Sequence, residues 1–301
     1  ILIFILLSLT LTMKETSLYQ NMLIGGMSGV ISRTITAPIE LYKIQRQNYF
    51  LPDTTIKKTL EKEGILGLWK GNLLNCCRIF PTMAINYGIL QTTKQYLENH
   101  HTTSNTTNMV VSSMISGVVS VIVMNPLETM RTRFTLQVKK SEYTSLYDGF
   151  RKTSIRELYY GTNVALMGYV PFNIISFTCY NSLKPRINEW IPKRENGNTN
   201  RLCKILTGGL TGVFAVSFTY PTDLLRRRLH IQGFSKSKVY ESTSACVKDI
   251  YKKEGVWGFY RGLTSAYLKL FPTIALQFGA IEYLNDYLEK RETETENGEV
   301  K

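Results

Sequence analysis

Long, clean apolar runs are missing from this 301-residue chain, and so is any dense set of metal-binding side chains. Only three histidines and five cysteines are present, and Cys76, Cys77, Cys179, Cys203 and Cys246 share no metal-ligand spacing. That scatter argues against a zinc site or a disulfide framework, and the thiols read as small apolar groups. Acid is in shorter supply than base, with 23 Asp and Glu against 36 Lys and Arg, a formal charge of +13. So basic a chain could engage nucleic acid, anionic lipid or an anionic solute. No zinc-finger spacing, RNA-binding signature or basic heptad region is present, which turns the reading away from nucleic acid. No nucleophile-base pair or metal cluster emerges either, so neither an enzyme nor a resident metal or cofactor is expected.

What is present is repetition. Pro38-Ile39-Glu40-Leu41-Tyr42-Lys43, Pro126-Leu127-Glu128-Thr129-Met130-Arg131 and Pro221-Thr222-Asp223-Leu224-Leu225-Arg226 each place an acid two residues after a proline and a base three residues further on. The copies start 88 and 95 residues apart. A second series runs in phase with it: Trp69-Lys70-Gly71, Tyr159-Tyr160-Gly161 and Tyr260-Arg261-Gly262, each glycine followed ten residues later by Pro81, Pro171 or Pro272. Self-similarity at this period means that the architecture is itself repeated.

Each unit contains two apolar segments, at 20–47 and 72–98, 108–138 and 162–186, and 203–231 and 263–289. All six meet the ~20 residues needed to cross a bilayer. Small residues such as Gly25, Gly26 and Gly29, or Gly208, Gly209 and Gly212, form stripes that let helices approach closely in lipid. Mean hydropathy of -0.09 is near zero, but charges facing a water-filled cavity are tolerated at membrane depth. The expected fold is therefore an all-α membrane protein, six transmembrane helices in three pseudo-symmetric repeats. The expected divisions are a non-core segment 1–17, repeats 18–104, 105–197 and 198–289, and an acidic disordered tail 290–301. Residues 1–12 lack the basic flank and cleavage site of a signal peptide and are set aside from the fold, with Met13 read as a start.

A proline inside a helix removes a backbone hydrogen bond and kinks it, so Pro38, Pro126 and Pro221 are expected to bend three helices toward a common axis. The acids and bases that follow then form a ring that can pair between helices and close a pore. Three further positions lie seven residues after each aromatic-series glycine: Arg78, Gly168 and Lys269, with Tyr169 beside Gly168. Intramembrane cations are costly and are functional candidates by default. Two cations and one gap suit an elongated anion whose phosphates bind charge and whose flat ring occupies the glycine's space.

On these motifs the chain resembles the mitochondrial carrier family over about residues 18–289. The resemblance implies a central cavity, short membrane-parallel matrix helices, and an alternating-access exchanger working as a monomer. It implies a matrix gate pairing Glu40 with Arg131, Glu128 with Arg226 and Asp223 with Lys43. A weaker cytoplasmic gate falls on Gln91, Lys94, Asn181, Lys184, Glu282 and Asn285, where only Glu282 with Lys94 keeps opposite charges. The free carrier is expected to rest open to the cytoplasm. Cardiolipin and membrane lipid are implied partners, at Trp69, Lys70, Gly71, Gly149, Gly161, Tyr260, Arg261 and Gly262. The second repeat lacks the acid-Gly pair seen as Glu63-Gly64 and Glu254-Gly255, carries Tyr160 in place of the base, and should have a short membrane-parallel helix.

Arg78, Gly168 and Lys269 match the contact points of nucleotide-transporting carriers, with Arg33 a fourth cavity cation. The expected function is exchange of adenine nucleotides across the mitochondrial inner membrane, possible companions being magnesium or phosphate. Coenzyme A or another adenine-containing cofactor is the alternative; a proton-leak carrier or a transport-inactive structural protein is less favoured. A peroxisomal or plastid membrane is the alternative location.

Overall fold

The computed structural model of the chain describes residues 18–48, 55–100, 105–137, 142–190, 198–234 and 239–296. Residues 1–17, and with them the expected N-terminal segment, lie outside them, as do 297–301. The described residues are helical, with no strand among them.

The first long segment is broken: α1 (Leu18–Ile35) gives way at Thr36 to α2 (Ala37–Gln47), with Pro38 in the first turn of α2. Proline cannot donate to the residue four back, which frees the Thr34 carbonyl. The Trp69 indole N–H donates to it at 2.8 Å, so the aromatic series and the proline series meet in one contact. Then come α3 (Ile56–Glu63), a 3₁₀ turn (Ile65–Trp69) and α4 (Asn72–Cys77). At Arg78 the chain passes into α5 (Ile79–Asn99); Pro81 removes the bond to the Cys77 carbonyl there.

The second repeat comprises α6 (Asn105–Leu136), α7 (Leu146–Lys152), the single turn α8 (Ile155–Leu158) and α9 (Thr162–Trp190). The third comprises α10 (Asn198–His230), α11 (Thr243–Glu254), a 3₁₀ turn (Val256–Tyr260) and α12 (Leu263–Glu296). Pro126 and Pro221 lie within unbroken helices, unlike Pro38. The helix expected to lie parallel to the membrane has 7 residues in the second repeat against 12 in the third. One expectation fails at the end of the chain. Residues 290–296 continue α12 rather than forming a disordered tail, because their alternating Glu and Thr follow a helix without a Gly or Pro stop signal.

By length and apolar composition alone, only Thr107–Leu136 qualifies as a membrane span among the described residues. Helices α1, α2, α6, α10 and α12 carry charge toward a shared interior. Neighbour follows neighbour around that interior: α1 on α5, α5 on α6, α6 on α9, α9 on α10, α10 on α12, and α12 back on α1. Beneath it, the ends of the proline-bearing helices meet in an apolar plug of Ile44, Met130, Leu136 and Ile231, with Tyr143, Leu158 and Phe234.

Candidate functional site

The ring of helices encloses a cavity of 410 Å³. Seven cationic side chains line it, Arg33, Lys43, Arg78, Arg131, Arg226, Arg227 and Lys269, against three acids, Glu40, Glu128 and Asp223. At its floor Lys43 pairs with Asp223 at 2.8 Å, linking α2 to α10. Arg131 of α6 pairs with Glu40 of α2 at 3.2 Å. The Gln47 amide donates to the Tyr220 hydroxyl at 3.1 Å and to Asp223 at 3.3 Å, and Tyr220 donates to the Arg261 carbonyl at 3.0 Å. This bracing leaves the Lys43–Asp223 pair few other arrangements.

The expected pair between Glu128 and Arg226 does not form. Glu128 is surrounded by Arg227 at 2.9 Å, Arg131 at 3.7 Å and Arg78. Arg226 turns back to Asp223 on its own helix at 3.0 Å. The reason is angular: successive residues point about 100° apart around a helix, and here Arg227 faces the carboxylates. It also approaches Glu40 at 3.7 Å and donates to Thr132 at 2.9 Å. Arg227, Gln47 and Tyr220 are site residues that spacing alone did not pick out. The Arg226-Arg227-Arg228 run was the signal for the first.

The three contact positions also differ in detail. Lys269 pairs with Glu40 and Arg78 with Glu128, so neither cation is unpaired. The expected gap at Gly168 is filled. A Cβ there would strike Thr222 of α10, so the glycine's space serves helix contact, not a ring. Tyr169 pushes its hydroxyl end into the notch left by Gly117 of α6. Arg33 is held by the Asn75 carbonyl and side-chain oxygen at 3.1 and 3.3 Å.

At the other end of the cavity the expected gate residues make local contacts. Lys94 pairs with Glu98 on its own helix at 3.6 Å, Gln91 donates to Tyr87 at 3.2 Å, and Lys184 lies over the Tyr180 ring. The Glu282 side chain is outside the described residues. Among the described side chains, ion pairs cross between helices at the floor of the cavity, while Lys94 pairs within its own helix.

At the expected lipid stations, Gly71, Gly161 and Gly262 hold φ of 71°, 79° and 89° at the starts of α4, α9 and α12, a conformation suited to glycine. The basic residues beside them are engaged. Lys70 pairs with Glu63 at 2.7 Å and donates to the Gln137 carbonyl, while Arg261 lies 3.6 Å from Glu254. Gly149 packs against Met130 and Phe134.

Six long helical segments in three copies around a basic cavity, tied at one end by ion pairs, define a solute transporter rather than an enzyme. The chain belongs to the mitochondrial carrier family: the family described as Mitochondrial carrier protein matches residues 14–101, 102–189 and 198–292. Among its relatives is mitochondrial substrate carrier family protein P of Dictyostelium discoideum, 30% identical over 92% of this chain and 97% of that protein. The mitochondrial adenine nucleotide transporter ADNT1 of Arabidopsis thaliana is 28% identical over 90% of this chain and 88% of its own. The adenine nucleotide transporter BT1, chloroplastic/mitochondrial, of the same plant is 27% identical, covering 92% and 71%.

Proposed function

We propose that the chain exchanges adenine nucleotides across the mitochondrial inner membrane by alternating access. The observation that carries this is the charge of the cavity, where seven cations against three acids leave four positive charges unmatched. In a low-dielectric interior such an excess favours a polyanion, and a nucleoside polyphosphate supplies charge of that size. Relatives named as adenine nucleotide transporters support the same reading. Arg78 and Lys269 would release Glu128 and Glu40 to take the phosphates, coupling solute binding to the floor network. Glu40, Lys43, Glu128, Arg131, Asp223, Arg226 and Arg227 would form the matrix gate, opening as those pairs exchange. Cardiolipin would bind at the three glycine stations, and a single chain would be the working unit. Coenzyme A remains the second reading because it presents the same adenine and phosphate chemistry.

The test is uptake into proteoliposomes loaded with unlabelled ATP. Labelled ATP, ADP, coenzyme A and phosphate are offered in turn. Exchange of adenine nucleotide is expected, with Arg78→Ala and Lys269→Ala each lowering it at least a hundredfold while the protein stays folded. Exchange of another solute but no nucleotide overturns the reading, as does normal uptake by both variants.

A further inference from the structure

A second chamber of 190 Å³ opens between α5 and α6, separate in character from the charged cavity. The two share Arg78, Thr82, Val121, Glu128, Tyr169 and Arg226, so they are contiguous at a charged mouth. Beyond that mouth the lining is uncharged, including Asn86, Tyr87, Leu90, Ser113, Ser116 and Met124. Tyr169, its end anchored in the Gly117 notch, stands as the wall between the two.

Within this chamber Asn86 is 5% exposed and its side-chain carbonyl has no hydrogen-bond partner. Buried polar atoms are ordinarily satisfied, and an unsatisfied one calls for an explanation. A carbonyl lining an apolar and hydroxyl-bearing chamber is suited to accept from an N–H of a flat, uncharged ring. Small-molecule sites combine such an apolar lining with a few placed polar groups. The glycine slot that could have received the ring is occupied by Thr222, which leaves this chamber as the compartment of matching character.

We propose that the solute binds across both compartments, its phosphates among the cations and its uncharged ring in the α5–α6 chamber with Asn86 as acceptor. This rests on the nucleotide reading and makes Asn86 a specificity-determining residue. Ring recognition would then be separable from charge recognition, because Asn86 does not join the ion-pair network. A site built around one hydrogen bond to its solute discriminates against solutes lacking that group.

The experiment measures ATP uptake by wild type, Asn86→Leu and Ser113→Phe in proteoliposomes. Inorganic tripolyphosphate, which has the charge but no ring, serves as competitor. Asn86→Leu keeps a similar volume and leaves no new polar atom unpaired, so a thermal melt like that of wild type is expected. Its half-saturating ATP concentration should rise about tenfold, with inhibition by tripolyphosphate unchanged. Ser113→Phe, which fills the chamber, should show the same split. If ATP affinity stays within about twofold of wild type in both variants, the chamber assignment falls. It falls equally if ATP and tripolyphosphate weaken together. If wild type takes up no ATP at all, the nucleotide reading fails first and this inference with it.

Discussion

The three repeats hold the short segments between their long helices in three different ways. In the first, Glu63 pairs with Lys70 of its own segment at 2.7 Å, and Gln45 of α2 donates a neutral bond to Thr59 at 3.1 Å. In the third, Glu254 receives Arg228 of α10 at 2.6 Å and Arg261 of its own segment at 3.6 Å. In the second, the acid-Gly pair is replaced by Thr153-Ser154, and Arg133 of α6 reaches Glu157 at 3.0 Å. Counted back from Gly71, Gly161 and Gly262, Glu157 stands where the other repeats have Gly67 and Gly258.

The exchange follows from volume. A Cβ on Gly258 would strike the Glu254 side chain, and one on Gly67 would lie 3.0 Å from the Glu63 Cβ. An acid at the earlier position therefore excludes a side chain one turn later. The smaller Thr153 lifts that exclusion, and Glu157 supplies the carboxylate from the later position. Arg133 receives that carboxylate, is fully buried and also donates to the His230 and Gln232 carbonyls and to Tyr143. It ties the second and third repeats together at the floor, while Lys70, paired with Glu63, reaches the Gln137 carbonyl and so ties the first repeat to the second.

The largest effect should therefore come from breaking the second repeat's version. Glu157→Gly strands a buried guanidinium, and breaking a buried pair costs about 3–5 kcal/mol. Arg133 keeps its carbonyl partners and Glu157 is half-exposed, so the lower end of that range is expected, read as a lower melting temperature and slowed exchange. Adding Thr153→Glu to Glu157→Gly recreates the arrangement of the other repeats and should recover much of the loss. Thr153→Glu alone, with Glu157 still present, should destabilise by crowding. A double variant no better than Glu157→Gly would refute the volume argument.

A smaller effect separates the first repeat from the third. Gly258→Ala should cost more than Gly67→Ala, within the range of about 1–3 kcal/mol for an overpacked site. A Cβ on Gly258 would strike Glu254, which Arg228 and Arg261 hold from two sides, whereas one on Gly67 would lie 3.0 Å from the Glu63 Cβ and needs only a small shift. Equal melting temperatures for the two variants would remove the distinction between the repeats.

The six helical segments were legible because threefold repetition fixes proline, acid, base and glycine at matching offsets, and a long helix tolerates an end error of a few residues. Two of the three floor pairs were legible for the same reason. Offsets do not reveal which of three consecutive arginines turns inward, so Arg227 was passed over for Arg226. Nor does a glycine's position tell what fills its missing side chain: Gly168 looked like space for a solute, and Thr222 occupies it. Glu157 was hidden because the sequence motif looks for the acid one turn earlier, although the chemistry needs only a carboxylate within reach of Arg133.

The smallest expected effect lies at the start of α7, the second repeat's short membrane-parallel helix. Ser145 accepts from the Asp148 N–H at 3.2 Å, and Asp148 accepts from the Thr144 N–H at 3.0 Å, a reciprocal cap of the kind that satisfies first-turn donors. The bond from the Thr144 N–H, with Lys152 beside it, lowers the Asp148 carboxyl below its ordinary value. A carboxyl lowered in the folded state stabilises above its unfolded value, and that contribution is lost as pH falls through the folded one. Asp148→Asn should therefore lower the melting temperature slightly at neutral pH, and the difference should shrink below about pH 4 as the wild-type carboxyl protonates. A gap between the two proteins that stays constant down to pH 3 would mean the charge is not what holds this cap, and the second repeat's short helix would then rest on the Ser145 hydroxyl and on the packing of Gly149 and Phe150.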